Sequence, residues 1–472
     1  MFKFDLDDHS IKSIHFIGIG GVSMSGIAHL LLDNGFSVTG SDRERNPHTL
    51  KLESMGVKVY YGQKAENINN PDIIVYTDAI LPDNDELIYA KSLDIPVVTR
   101  GVFLGALMRN YKHSIAISGS HGKSTVTSMV TEILVNSEYN PSILLGGDLD
   151  TIEGNVLVGD RDYLVTEACE YKANILNYYP STVIVLNISE DHLDFYKNID
   201  HIVSTFIGYM KNLDEDSNAI INIDDKNCIP LLDHIKGHVH TFGMHNPNAD
   251  YSIENIEHDE IGRPSFTLKA KKGESIDIKL PIIGDFNMYN AASAAIAMLV
   301  TGIDKELIIK QLANYKALHR RMEIVGQYNG ANIMTDYGHH PTEIKNTLSA
   351  LGSHKQNRLV CVFQPHTFSR TKALLNEFSD SFYDADEVIV TDIYAAREHF
   401  DPSIHSNDLV KLLVEKGVNA KYIPTFEEAK DHIYNTVEPN DLVMTTGCGI
   451  PHLLAYMIAN NQDFESAGPL SA

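Results

Sequence analysis

The densest chemistry in the chain lies in Ala116-Ile-Ser-Gly-Ser-His-Gly-Lys-Ser-Thr125. An apolar, strand-like run over 113–117 enters a Gly-x-x-Gly-Lys-Ser turn, and a helix-like stretch over 127–135 leaves it. Such a turn aims backbone N–H groups and a helix N-terminus at a phosphate, with Lys123 placed for the outer phosphates and Ser124 for a Mg²⁺ ion. Counted from Gly119, the loop is two spacer residues shorter than the usual G-x-x-x-x-G-K-[ST] pattern. The flanking strand and helix therefore carry the expectation of nucleotide binding.

Three strand–turn–helix restarts must position such groups. At the N-terminus, Ile14-His-Phe-Ile17 reads as a buried strand, followed by Gly18-Ile-Gly20-Gly21-Val-Ser23-Met-Ser-Gly26 and a helix-like stretch over 27–32. Short apolar runs over 37–42, 73–77 and 95–99 follow between helical stretches, an alternation that implies a parallel sheet with crossover helices. The glycine turn has the form of a dinucleotide fingerprint, with Asp42 near the spacing of a ribose-binding acid and Ser23 in place of the third glycine. It stands equally as a ligand site and as a structural turn.

The phosphate loop is the second restart. Strand candidates over 163–168 and 183–188 follow it, and in open α/β sheets ligands sit beyond the carboxyl ends of strands. Glu167 and Asn187 fall at such ends, with Asp191-His192-Leu-Asp194 just beyond. Carboxylate and imidazole there could hold Mg²⁺ on nucleotide phosphates. The plainer alternative is a helix-capping Glu167 and an ordinary loop histidine. Residues 250–281 alternate polar and apolar, as antiparallel strands attached to the central domain would.

The third restart follows a linker near 317–320. Strand candidates over 331–336, 358–363, 387–391 and 441–445 run into polar or cationic residues, among them Asp336-Tyr-Gly-His-His340, Gln364-Pro-His-Thr-Phe-Ser-Arg370 and Asp392-Ile-Tyr-Ala-Ala-Arg397. Helical stretches over 341–351, 371–383 and 407–416 separate them, which makes another doubly wound sheet. His366, Arg370 and Arg397 gather at one edge. An arginine there grips a carboxylate or phosphate bidentately, or stands as a solvated surface cation.

Composition narrows the classes. A chain of 472 residues has room for about three domains. Its 38 basic against 63 acidic residues leave a net charge of −25, which argues against a nucleic-acid surface and requires local cations or backbone donors for any phosphate. The four cysteines lie far apart with no CxxC pair, which points to reduced thiols rather than a disulfide framework or zinc knuckle. The N-terminus is too acidic for a signal peptide and no apolar run approaches ~18 residues. A cytoplasmic protein off the membrane is expected.

The motifs together resemble the ATP-dependent Mur ligases. The resemblance rests on Gly119-Ser-His-Gly-Lys-Ser-Thr125, Glu167-Ala-Cys-Glu-Tyr171, Asn187-Ile-Ser-Glu-Asp-His-Leu-Asp194, Asn287-Met-Tyr-Asn-Ala-Ala292, Arg320-Arg-Met-Glu323, Asp336-Tyr-Gly-His-His-Pro-Thr-Glu343, Phe363-Gln-Pro-His-Thr-Phe-Ser-Arg370 and Asp392-Ile-Tyr-Ala-Ala-Arg-Glu398, in the family's order. It runs from Ile14 to Gly449 and is strongest to the alanine-adding branch. It implies an α/β protein of three domains: a Rossmann-like UDP-sugar domain over 1–107, a central P-loop ATPase domain with attached antiparallel strands over 108–317, and a doubly wound amino-acid domain over 318–472. It also implies that ATP and Mg²⁺ activate the lactyl carboxylate of UDP-N-acetylmuramate as an acyl phosphate, which the amine of L-alanine attacks. Monomer and homodimer are both compatible.

Carried over residue by residue, the resemblance gives Gly119, Ser120, His121, Gly122, Lys123, Ser124 and Thr125 to ATP. Asn290 falls on the adenine contact, and Arg321 and Asp336 on ATP contacts from the third domain. Ser124 and Glu167 would surround one Mg²⁺ and His192 would hold a second. Gly18, Gly20, Gly21 and Asp42 fall at the uridine nucleotide, with Asn187 also on the substrate side. Tyr337, His339, His366 and Arg370 line the alanine pocket, Arg370 for the carboxylate and His339 as a candidate base. The chain departs from the family at Ser23, Phe286, Thr335 and Thr367, and Thr367 takes the place of an arginine, which leaves fewer cations for the amino-acid carboxylate. Ser120 and Ser124 replace threonines. The alternatives are a recycling ligase for a preformed tripeptide, which carries Phe-Ala where this chain has Tyr337-Gly338, a regulatory protein without turnover, and an NAD oxidoreductase built on the N-terminal turn.

Overall fold

The computed structural model describes residues 2–193, 195–259, 262–353, 355–396 and 398–462. Arg397 and Asp194, both named above, lie outside them. Three sheets follow one another along the chain. The first has five parallel strands in the order Lys58–Tyr61, Ser37–Asp42, Ser13–Ile17, Ile73–Tyr76, Val97–Thr99. Its strand order reverses beside Ser13–Ile17, which puts the Gly18–Gly21 turn at the kind of crevice where open α/β sheets take ligands.

The second sheet has ten strands. At its centre the loop strand His113–Ser118 lies between Thr182–Val185 and Tyr163–Glu167, all parallel. Parallel strands covered on both faces read as continuous β-branched runs, which is why this centre is legible in sequence. Its edges are antiparallel. One carries Tyr251–His258, Pro264–Ala270 and Ile276–Lys279, as the alternation over 250–281 predicts. The other is a hairpin of Ser142–Leu149 and Gly154–Leu157 that periodicity does not reveal.

The third sheet has six strands, with Leu442–Thr446 between Ala331–Asp336 and Leu359–Phe363 and one antiparallel edge strand, Glu323–Tyr328. The helix expected over 371–383 is broken into Phe368–Ala373 and Leu375–Ser379, because Leu374 leaves helical geometry at φ −109°, ψ 23°. The helix after the phosphate loop starts at Lys123, a full turn earlier than its apolar pattern suggests, since polar Ser124 and Thr125 occupy its first turn.

Apolar packing links the first two sheets. Helix Arg100–Met108, which follows the last strand of the first sheet, buries Phe103, Leu104 and Leu107 in a core shared with Ala116 and Val183 of the second and with Tyr178 beside it. The alanine-rich helix Phe286–Val300 packs against Lys123–Val135, so small side chains let it come close behind the phosphate loop. No described helix is long and apolar enough to cross a membrane. All four cysteines are free thiols.

Gly105 shows how tight the seam is. A Cβ there would stand 1.8 Å from the Asn177 carbonyl oxygen, and one at Gly101 would stand 2.1 Å from Asn174 Oδ1. Backbone cannot retreat as a side chain does. Gly105→Ala is expected to destabilise the protein by roughly 1–3 kcal/mol through overpacking. Denaturant unfolding checks this, and a midpoint equal to wild type would show the seam to be loose.

Candidate active site

The phosphate loop is built by its neighbours. Gly122 caps helix Lys123–Val135 at φ +86°, and a Cβ there would sit 2.6 Å from Asn290 Oδ1, so conformation and space both require glycine. Asn187 clamps the loop. Its carbonyl accepts the Ser120 N–H (3.1 Å), its Oδ1 accepts the His121 N–H (2.8 Å), and its Nδ2 donates to the His121 carbonyl (3.1 Å). The Ser120 hydroxyl donates to the Ser189 carbonyl (3.2 Å) and accepts the Ser189 N–H (2.9 Å).

Lys123 opens the helix and folds its ammonium onto the carbonyls of Gly119 and Ser120 and the carboxylate of Glu170, at 3.1 Å from Oε2. Burial alone would lower the Lys123 pKa. The adjacent Glu170 carboxylate and smaller negative contributions outweigh it, so the group is raised and stays a cation.

Glu170, Asp191 and His192 each present a ligand atom within 4.8 Å of the others. His192 adopts φ +53°, with its N–H on Asp191 Oδ1 at 2.7 Å. Two carboxylates with one imidazole form a donor set that accepts a hard divalent cation such as Mg²⁺. Burial by itself would raise the Asp191 carboxyl. His192, Arg370, His339 and His340 together hold it below the usual carboxylate range. Glu167 does not join this group. Its Oε1 accepts the Gly146 N–H (2.8 Å), and it lines a smaller cavity of about 180 Å³ with Ser23, Arg100 and Cys169 at the seam between the first two sheets.

The third sheet brings its loops to the same place. Arg370 Nη2 lies 3.5 Å from Asp191 Oδ1. Thr367 caps helix Phe368–Ala373 through its hydroxyl and so serves the helix that carries Arg370. His340 Nε2 donates to the Glu190 carbonyl (3.0 Å), and His339 Nδ1 donates to the Tyr337 carbonyl (3.1 Å). Burial pushes the His339 imidazole down to about 4, although Glu343 pulls the other way. The His366 ring lies 6.4 Å from that of His339. Asp336 accepts the N–H groups of Met322 (2.9 Å) and Gly338 (2.8 Å), and burial raises its pKa. Arg321 stacks on Tyr337 at 4.9 Å and reaches Ser124 Oγ at 3.5 Å.

Beside these groups, the loop, the helix behind it and the third sheet enclose a cleft of about 480 Å³. The loop side contributes His121, Gly122 and Thr125, the helix behind it Asn287 and Asn290, and the third sheet Arg321, Asp336 and Glu343. Phe286 and Tyr289 supply aromatic walls at one end. At the N-terminal turn, Gly18 donates to the Ser41 carbonyl (2.8 Å), Gly20 donates to Asp42 Oδ2 (2.8 Å), and Gly21 caps helix Val22–Asp33. Asp42 thus braces the turn from within, and Ser23 Oγ accepts from Arg100 (3.2 Å).

Lys123, His192, His339, Arg370, Asp336 and Arg321 therefore converge, while Glu167 and the Gly18–Asp42 turn stand apart. Glu170 and Glu343 are the groups that sequence reasoning passed over. The one local hint of Glu170 is its place three residues beyond Glu167 in a strand-end motif.

Comparison with known proteins agrees along the chain. Residues 13–112 match the Mur ligase family, catalytic domain; 117–298 match the Mur ligase middle domain; 320–449 match the Mur ligase, glutamate ligase domain. A UDP-N-acetylmuramate–L-alanine ligase of Clostridium acetobutylicum is 45% identical over 95% of this chain and 97% of its own. One of Alkaliphilus metalliredigens is 42% identical over 97% and 99%. The crystal structure of UDP-N-acetylmuramate-alanine ligase from Thermotoga maritima superposes with a TM-score of 0.80 at 26% identity, covering 96% of this chain and 99% of that one. A murein peptide ligase from Psychrobacter arcticus shares the fold, with a TM-score of 0.71 at 21% identity over 98% and 100%. With its three consecutive domain matches and relatives of this identity over nearly its full length, the chain belongs to the Mur ligase family.

Proposed function

We propose that the protein joins L-alanine to the lactyl carboxylate of UDP-N-acetylmuramate at the expense of ATP. One observation carries the reading: Arg370, from the third sheet, meets Asp191 beside the Lys123 loop at 3.5 Å, so an amino-acid pocket and a phosphate site face each other. Each of the ranges 1–107, 108–317 and 318–472 holds one complete sheet, and we assign them to UDP-sugar, ATP and amino acid respectively.

A carboxylate has no usable leaving group at neutral pH. Its oxygen attacks the γ-phosphorus of ATP, the bond to ADP breaks, and an acyl phosphate forms. The alanine amine then attacks the acyl carbon, and phosphate departs from the tetrahedral intermediate as the amine loses its proton. Lys123 offsets the charge of the outer phosphates, with loop N–H groups beside it. Asn290 and the aromatic wall hold the base end of the nucleotide, while Arg321 and Asp336 contribute from the third sheet. Glu170, Asp191 and His192 would hold Mg²⁺, with Ser124 at the loop helix, and the ion supplies Lewis-acid neutralisation of the two anions that must meet. Arg370 takes the alanine carboxylate, flanked by Tyr337 and His366. An imidazole titrating near 4 is mismatched to an amine proton. The departing phosphate, whose second ionisation lies near neutral pH, is the better acceptor. Every group invoked comes from one chain, so monomer and homodimer serve equally. Nucleotide substrates and free thiols fit the cytoplasm.

Phosphate release from ATP should require both UDP-N-acetylmuramate and L-alanine, and Lys123→Ala should abolish it with the circular dichroism spectrum unchanged. Release with a murein tripeptide instead of alanine would make the protein a recycling ligase, and near-normal turnover by the variant would overturn the loop assignment. Arg370→Ala is expected to raise the alanine KM by roughly ten- to a hundred-fold, the worth of one charge-assisted contact, and the ATP KM far less. Equal effects on both would remove Arg370 from the amino-acid pocket.

The His339 shift gives a pH test. Its folded pKa of about 4 lies below the ordinary 6.5, so the unfolded chain takes up the proton first as pH falls. Stability tied to this group is complete above 6.5 and is lost between 6.5 and about 4. The unfolding midpoint should fall over that window and fall less in His339→Gln. A variant that tracks wild type would mean that His339 is not held neutral.

A further inference from the structure

Glu343 has no part in the chemistry above, yet its carboxylate bonds both to its own helix start and across to the phosphate loop. It stands in the first turn of helix Pro341–Gly352, and its Oε2 accepts the backbone N–H of His339 (3.0 Å) and of His340 (3.3 Å). So far this is a capping box, a local device of one helix. Its other oxygen does something a cap does not need. Oε1 lies 3.2 Å from His121 Nδ1, in the phosphate loop, with both side chains 16% exposed.

A carboxylate only accepts, so Nδ1 carries the proton given to Glu343, while Nε2 pairs with the Ser189 hydroxyl at 3.0 Å. Ser189 belongs to the loop that carries Asp191 and His192. The His121 ring is therefore fixed between that loop and the third sheet, while its backbone is fixed by Asn187. Burial would raise the Glu343 carboxyl, but His339, His121 and Arg321 together hold it well below the usual range, so it faces both partners as an anion.

We propose that Glu343 is a positioning residue that latches the third sheet to the phosphate loop through His121 and so aligns the amine acceptor with the acyl phosphate. Its two oxygens divide the task. One orders the His339–His340 turn of the acceptor pocket, and the other ties that turn to the loop that handles the nucleotide. With the latch cut, acyl phosphate still forms but the amine no longer arrives in register. Water then attacks the acyl carbon, phosphate leaves, and the starting carboxylate is regenerated with ATP spent. This inference rests on the ligase reading.

The test compares ADP released with amide formed, at saturating ATP, UDP-N-acetylmuramate and L-alanine. Wild type should give equal amounts; a wild type that forms no amide defeats the ligase reading itself, and the latch with it. Glu343→Ala should lower amide formation by roughly ten- to a hundred-fold, with ADP in clear excess. Glu343→Gln keeps one acceptor oxygen and should recover part of the coupling. His121→Ala leaves the helix cap intact, should also release excess ADP, and should add little when combined with Glu343→Ala. ADP and amide still equal in Glu343→Ala, or losses that multiply in the double variant, would reduce Glu343 to a helix cap. If Glu343→Ala fails to fold, Glu343→Gln and His121→Ala carry the same comparison.

Discussion

A largely buried ammonium at the start of one helix governs the rest of the structure. Lys123 can lie at the mouth of helix Lys123–Val135 only because Gly122 turns the chain at φ +86°. Taking that charge out of water is costly, and Glu170 offsets the cost from beyond the end of strand Tyr163–Glu167. Removing one partner of such a pair typically costs about 3–5 kcal/mol, because the survivor is left buried and unpaired. The loop, its helix and the neighbouring strand end are thereby locked to one another before any ligand arrives. Asn187, at the end of the strand on the other side, completes the brace with its three bonds to the loop.

From that brace the architecture radiates. Parallel strands deliver their carboxyl ends to one edge, so Glu167, Glu170, Asn187 and the Asp191–His192 turn all emerge near the loop. The third sheet repeats the arrangement with Asp336, His339 and Arg370, and its loops meet the first set across His340–Glu190 and Arg370–Asp191. The N-terminal sheet joins differently. Its Gly18–Gly21 turn is braced by its own Asp42, and it reaches the centre through Ser23 and Arg100 at the cavity that Glu167 also lines. Glu167 therefore sits where the first sheet adjoins the phosphate loop's sheet, fixed to the Gly146 amide rather than grouped with Glu170, Asp191 and His192.

Sequence made the local parts legible and left the long-range parts dark. The loop strand, its helix and the buried parallel strands announce themselves by β-branched runs and glycine spacing, which are properties of neighbours in the chain. The hairpin of Ser142–Leu149 and Gly154–Leu157 hides because Gly146-Gly147-Asp148 interrupts its alternation and its register shifts between Leu144 and Leu149. Glu170 gains its meaning from Lys123, 47 residues away, and Glu343 from His121, 222 residues away. Apart from Glu170's place three residues after Glu167, nothing local separates either from an ordinary acid. Thr367 is the converse case. In sequence it is a lost cation; in the fold it is the cap of the short helix that presents the remaining one.

Charge pairing links the brace to the proposed chemistry. In this structure each principal cation already has an anion: Lys123 has Glu170 and Arg370 has Asp191. Those two carboxylates are also the oxygen donors grouped with His192. A triphosphate that takes Lys123 and an amino acid that takes Arg370 would displace both carboxylates from their partners at once. Freed and still largely buried, the carboxylates cannot remain uncompensated in a low-dielectric site. A divalent cation among Glu170, Asp191 and His192 would satisfy them and the phosphates together. On the proposed reading the site would exchange partners rather than gather charge, which would tie metal, nucleotide and acceptor into one step of assembly and make partial loading costly.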